Sequence, residues 1–116
     1  MTVREDVRKL LIGVARKRET ITYHEVGVRT GLPYRGRVIG GVLGEISEDE
    51  VCHDRPPLSS IVVLEETIGY AVSPKGHPAE GFLRCKFVPR DLNDEGQMLG
   101  YMREMQERTW DYWTMR

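Results

Sequence analysis

Apolar residues recur along the first segment at Val3, Val7, Leu10, Leu11, Val14 and Ala15, in steps of three and four that make one stripe on a helix. Arg4, Arg8, Lys9, Arg16 and Lys17 lie largely off that stripe. The pattern predicts a helix over residues 2–18 whose cationic last turn suits the helix dipole. Thr20-Ile21-Thr22-Tyr23 is β-branched and aromatic and reads as a short strand or extended step. Thr22 precedes Glu25 by three, the spacing of a capping box in which each side chain satisfies a backbone N–H. A short helix over residues 24–30 should follow, stopped by Gly31 in the left-handed cap position.

Leu32-Pro33 makes the next turn, and Pro33 suits the start of a third helix over residues 33–46. That helix is expected to bury Val38, Ile39, Val42, Leu43 and Ile46 and to leave Tyr34, Arg35 and Arg37 on its exposed first turn. Gly36, Gly40, Gly41 and Gly44 are each about 0.5–1 kcal/mol worse than alanine in a helix. Their repetition points to close packing against another element or to the close approach of a ligand backbone. Ser47-Glu48-Asp49-Glu50 reads as a solvated acidic linker after this helix, pointing away from any bound duplex.

Pro56-Pro57 interrupts the chain, and Ser60-Ile61-Val62-Val63-Leu64 has the character of a buried strand. Residues 70–72 are placed to pair back as a hairpin and residues 82–88 to add a third strand. The stretch 56–88 would then form a small antiparallel sheet or wing, with Lys75 and His77 at its tip. A long last helix over residues 92–113 carries Leu99, Met102, Gln106, Trp110 and Trp113 on one stripe, flanked by Met98, Met105, Thr109 and Tyr112. It either folds over the first helix to close the core or offers its Met and Trp side chains to a partner, including a second copy of the chain.

With 116 residues, 40% hydrophobic and 30% charged, the chain suits one domain with its own core. No apolar run approaches the ~18 residues of a membrane span, and the charged first residues do not read as an export signal. A cytoplasmic protein with no membrane partner is expected, and its two cysteines, Cys52 and Cys85, should be free thiols. The scattered His24, His53 and His77 do not have the paired spacing of a zinc site, and neither a phosphate loop nor a dinucleotide fingerprint occurs, so no cofactor is expected. Ser59 and Ser60 lack a nucleophile elbow. The net charge of -1 hides an asymmetry: residues 1–40 hold nine Lys and Arg against four acids. A basic first third can be the footprint of a phosphate-binding face.

Two short helices joined by Gly31-Leu32-Pro33, the second opening with Tyr34, Arg35 and Arg37, have the layout of a helix-turn-helix, whose second helix enters the major groove. The expected fold is therefore α+β: a winged-helix-like helix-turn-helix (residues 1–46), a small antiparallel sheet or wing (56–88) and a long C-terminal helix (91–113). Double-stranded DNA is the expected partner. Tyr34, Arg35 and Arg37 would lie near bases and Arg16, Lys17, Arg18 and Arg29 on phosphates, with Lys75 reaching phosphate from the wing.

Thr22-Tyr23-His24-Glu25-Val26-Gly27, the turn at Gly31-Leu32-Pro33 and Arg37-Val38-Ile39-Gly40 resemble the winged-helix half of the alkylguanine-DNA alkyltransferase and alkyltransferase-like families. The resemblance covers about residues 8–64. It implies that Arg37 is a finger pushed into the base stack to extrude a base, and that Tyr23 helps swing the phosphate. The families' reactive Pro-Cys-His-Arg motif is not matched, because Leu58 stands where the cysteine should be. Cys52-His53-Asp54-Arg55 imitates its wording ahead of the prolines. A thiolate nucleophile also needs a positioned base, so the expectation is DNA binding without turnover. Alkyl transfer through Cys52 and a protein-interaction module built on the C-terminal helix stand as the alternatives. Arg55-Pro56-Pro57-Leu58-Ser59 and Pro78-Ala79-Glu80-Gly81-Phe82 also resemble small bacterial and phage proteins, which adds no chemistry.

Overall fold

The structure, a computed structural model, describes residues 2–32, 37–70 and 73–116, and for Arg37 the backbone alone. Helix α1 (Val3–Arg16) starts where the Thr2 hydroxyl accepts the Glu5 N–H at 3.1 Å, and it buries Val7, Leu11 and Ala15. Strand β1 (Ile21–Thr22) leads straight into α2 (Tyr23–Thr30). Thr22 caps α2 by accepting the Glu25 N–H at 3.2 Å, and Gly31 ends it at φ 77°. The carboxylate of Glu25 accepts from Arg29 Nε at 2.8 Å instead of reaching back into a capping box.

Helix α3 (Arg37–Cys52) runs six residues beyond the expected end. Its inward stripe is Ile39, Leu43, Ile46, Ser47 and Glu50, all buried. The steps of four, three, one and three are helical, but the stripe finishes in polar side chains. The supposed acidic linker is thus the last turns of a core helix. Ser47 and Ser59 exchange hydrogen bonds, hydroxyl to hydroxyl at 2.6 Å and the Ser59 N–H to Ser47 Oγ at 2.9 Å. Glu50, fully buried, accepts from Arg8 Nε of α1 on one oxygen and from Arg55 Nε on the other. That hydrogen bond raises the already high pKa of Arg55. Val38, expected in the core, is 51% exposed, because the stripe is centred on Ile39.

The buried segment after the prolines forms a 3-10 turn (Leu58–Ile61) and only a two-residue strand, β2 (Val62–Val63). The two strands pair in parallel, Ile21 with Val62 and Thr22 with Val63, not antiparallel as expected. A parallel pair needs a long crossover, and α2 and α3 supply it. The strand is short because the last helix, α4 (Glu95–Thr114), claims the backbone before it. Buried Gln106 donates to the Ser60 and Gly76 carbonyls at 2.9 and 3.0 Å, and the Thr109 hydroxyl lies 3.2 Å from the Pro57 carbonyl. Gly76 sits at φ 90°, where a Cβ would stand 2.9 Å from a Val63 methyl, so only glycine fits there.

Residues 80–84 form a 3-10 turn (Glu80–Arg84), not part of a third strand, and it buries Phe82 against Met102 and Met105. Of the expected hairpin, Tyr70 makes a single antiparallel bridge to Ser73, while residues 71–72 lie outside the described set. Asp94 caps α4 by accepting the Gln97 N–H at 2.8 Å. Helix α4 docks on α1, with Trp110 and Trp113 in the main core and the Trp110 N–H donated to the Glu19 carbonyl at 2.9 Å. Of the Met and Trp side chains weighed as a partner surface, Met102, Met105, Trp110 and Trp113 are buried core and Met98 is half-buried. No helix among the described residues is long and apolar enough to cross a membrane.

Glu50→Ala should destabilise the fold by about 3 kcal/mol. That is the low end for breaking a buried ion pair, because Arg8 and Arg55 keep some access to water. Exposed Glu45→Ala should change stability by less than about 0.5 kcal/mol. Urea unfolding of the two variants checks the contrast.

Candidate nucleic-acid interface and an adjoining pocket

Helices α2 and α3 follow one another along the chain as expected, and each packs against α1. Tyr34 and Arg35 lie outside the described residues, as does the Arg37 side chain, though its backbone opens α3. The described cations split into two groups. Arg29 ends α2, exposed and paired with Glu25. Arg16 and Lys17 end α1, also exposed, with Arg16 Nη2 3.5 Å from the Arg116 carbonyl.

Arg18 and Lys75 turn inward to α4. Arg18 forks onto Asp111 at 3.0 Å and Glu107 at 3.4 Å, with its guanidinium carbon 5.9 Å from the Trp110 ring centre. Lys75 Nζ stands 4.9 Å over the same ring and donates to the Arg18 carbonyl. Lys75 is thus tied to the α1–β1 turn and does not stand at the tip of a wing. His77 also serves the loop, its N–H donating to Thr67 Oγ1 at 2.9 Å.

Tyr23, the first residue of α2, is largely buried, and its hydroxyl accepts the Ala79 N–H at 2.9 Å. Burial raises its pKa above the ordinary phenol value. Tyr23 lines a cavity of about 600 Å³, and Gly40, Gly41 and Gly44 of α3 line it on another side. Ser59, Phe82, Arg84 and Cys85 complete much of the wall. A Cβ added at Gly40 or Gly41 would meet no atom within 4 Å, and at Gly44 only Cys85 Sγ at 4.0 Å. The glycines therefore do not admit a close-packed neighbouring element. They leave one side of α3 open beside its buried stripe, and Ile39 and Leu43 of that stripe line the cavity with them. A volume of this size is in the range of small-molecule and single-base sites. The pocket residues Phe82, Arg84 and Cys85, which read as strand in the sequence, lie in and just after the 3-10 turn Glu80–Arg84. The repeated glycines of α3 were a signal of an unusual helix side, but nothing in the sequence joined them to residues 82–85.

Cys52 is exposed at the end of α3 and does not line this cavity. His53 Nδ1 lies 2.8 Å from the Asp49 carbonyl, and Arg55 serves Glu50, so neither is turned to the Cys52 thiol. Leu58, at the position aligned with the families' cysteine, is fully buried. The thiol that does line the pocket, Cys85, has its pKa raised by burial and by Glu48, which disfavours the thiolate. A second cavity of about 560 Å³ is lined by Arg55, Pro57, Phe87, Tyr101 and Arg108, among others. Burial pushes the Tyr101 phenol up to about 12. Among the described residues no three His, Cys, Asp or Glu side chains gather as a metal site.

No protein-family model, curated protein or solved structure matches the chain.

Iodoacetamide at neutral pH should alkylate exposed Cys52 well ahead of Cys85, read by peptide mass spectrometry. The raised Tyr101 pKa carries a sign. Between pH ~10 and ~12 the unfolded chain loses this phenol proton first, so folding stability falls with rising pH across that window. Tyr101→Phe should make the fall shallower in denaturation curves taken through it.

Proposed function

We propose that this chain binds double-stranded DNA through the α2–α3 pair and receives a displaced nucleotide in the glycine-lined cavity, as a recognition protein for altered DNA. The observation that carries the reading is the open glycine side of α3. Helical glycines are costly, and here no protein atom fills the space they leave. Positions 40 and 41 lie one turn beyond Arg37, so they share a side of α3 with the residue that the family resemblance makes an intercalating finger. Tyr23 and Phe82 supply aromatic walls for a base, and exposed Arg84 at the rim suits a phosphate. Arg16, Lys17 and Arg29 remain exposed for backbone contacts. The alkylation chemistry of the resembling families is not part of the proposal, since burial and Glu48 disfavour the thiolate of the cavity's Cys85.

Fluorescence anisotropy against a random-sequence duplex, at two salt concentrations, tests the binding. The affinity should fall with salt at a slope near −0.9 per phosphate contacted. Arg35→Ala/Arg37→Ala should abolish it, and no binding by the wild type at low salt overturns the reading. A duplex carrying 2-aminopurine opposite a mismatch tests the cavity. The wild type should raise its fluorescence on unstacking the base. Gly41→Leu, which fills the space, should lose that rise while keeping the salt-dependent affinity. Gly41→Ala should instead raise thermal stability by about 0.5–1 kcal/mol, as a helix propensity gain without a clash.

A further inference from the structure

We propose that Glu107 and Asp111 of α4 act as an internal substitute for DNA phosphate that holds Arg18 out of the basic face and so limits affinity for duplex. The proposal rests on the DNA-binding reading above and adds its regulation. Arg18 continues the exposed run Arg16-Lys17 and lies five residues before the start of α2. Its guanidinium nevertheless turns to α4, with one nitrogen 3.0 Å from Asp111 Oδ1 and another 3.4 Å from Glu107 Oε2.

The local geometry holds it there. Arg18 occupies the left-handed region at φ 55°, a conformation that non-glycine residues adopt at a cost and keep only when their surroundings enforce it. Lys75 Nζ grips its carbonyl, the Trp110 ring lies beside its guanidinium, and the Trp110 N–H is donated to the carbonyl of Glu19, the next residue. Glu107 and Asp111 lie four apart on one side of α4, and Glu107 also accepts from Arg103 Nε at 3.1 Å through its other oxygen, which leaves Oε2 to Arg18. Two carboxylates side by side offer a guanidinium fork the same acceptors as a phosphodiester. Both ends of the contact are exposed, with Arg18 at 45%, Glu107 at 42% and Asp111 at 70%. Exposed pairs of this kind are weak and screened by salt, so a polyanion can displace these. The contact therefore sets the affinity without blocking the site.

Glu107→Gln/Asp111→Asn is compared with wild type by the same anisotropy titration. Glu65→Gln/Glu66→Gln, exposed acids on a separate turn, matches its change in charge. The released variant should bind duplex about threefold more tightly at low salt, with a salt slope steeper by about 0.9, the contribution of one added phosphate contact. The control should show a smaller gain and an unchanged slope. Adding Arg18→Ala to the released variant should remove the gain. Equal gains in the two acid variants, or a gain that survives Arg18→Ala, overturn the latch while leaving DNA binding standing. Absence of binding in every variant, the released one included, overturns the DNA reading and the latch with it. Unchanged thermal melting shows that α4 stays docked, and a melt lowered together with a gain in affinity would attribute the gain to undocking and also overturn the latch.

Discussion

A carboxylate buried at the end of a helix constrains everything packed around it. Glu50 has no contact with water, so its charge has to be met inside the protein, and it is met by one arginine from α1 and one from the loop that follows α3. Leaving such a group unpaired costs several kcal/mol, more than most single contacts in a domain of this size contribute. The angle between α1 and α3 and the path of residues 53–57 are set by that requirement. The same path delivers Pro57 and Leu58 into the centre of the molecule. There the 3-10 turn Leu58–Ile61 touches α1, α3 and α4 together.

The second constraint comes from α4. Its inward side is not purely apolar: Gln106 and Thr109 are buried and need partners. They find them in the backbone of the central segment, through the carbonyls of Ser60 and Gly76 and the hydroxyl of Ser60. A segment whose carbonyls are already engaged by side chains cannot also run a long sheet ladder. This is why a β-branched run yields two residues of strand and a turn. Polar side chains here do the joining that a wider sheet would otherwise do.

Around this frame the candidate site is defined more by what is left open than by what is packed. Helix α3 has a filled flank, from Ile39 to Glu50, and an empty one at Gly40 and Gly41. Of the exposed basic residues, Arg18 and Lys75 are drawn to Trp110, while Arg16, Lys17 and Arg29 are not placed on that ring. A chain with a near-neutral total charge can present a basic surface only if its acids are turned elsewhere. The paired carboxylates of α4 show that some are turned onto the very residues that would make that surface larger.

The amino-acid sequence by itself determined α1, α2 and α4, the caps of α2 at Thr22 and Gly31, and the apolar stripes that meet in the core. Each of these depends on neighbours within one or two turns of chain, and periodicity and capping record such neighbours directly. The tertiary structure alone decided that Ser47 and Glu50 are core residues, that the strands run parallel, that a cavity opens at the α3 glycines and that Arg18 and Lys75 converge on one ring. Each of those outcomes depends on a partner 12 to 57 residues away: Ser59 for Ser47, Arg8 for Glu50, Gln106 for Ser60, Lys75 for Arg18. A polar residue at a helical core position looks like surface in any local reading. Only the distant group that satisfies it can make its burial favourable.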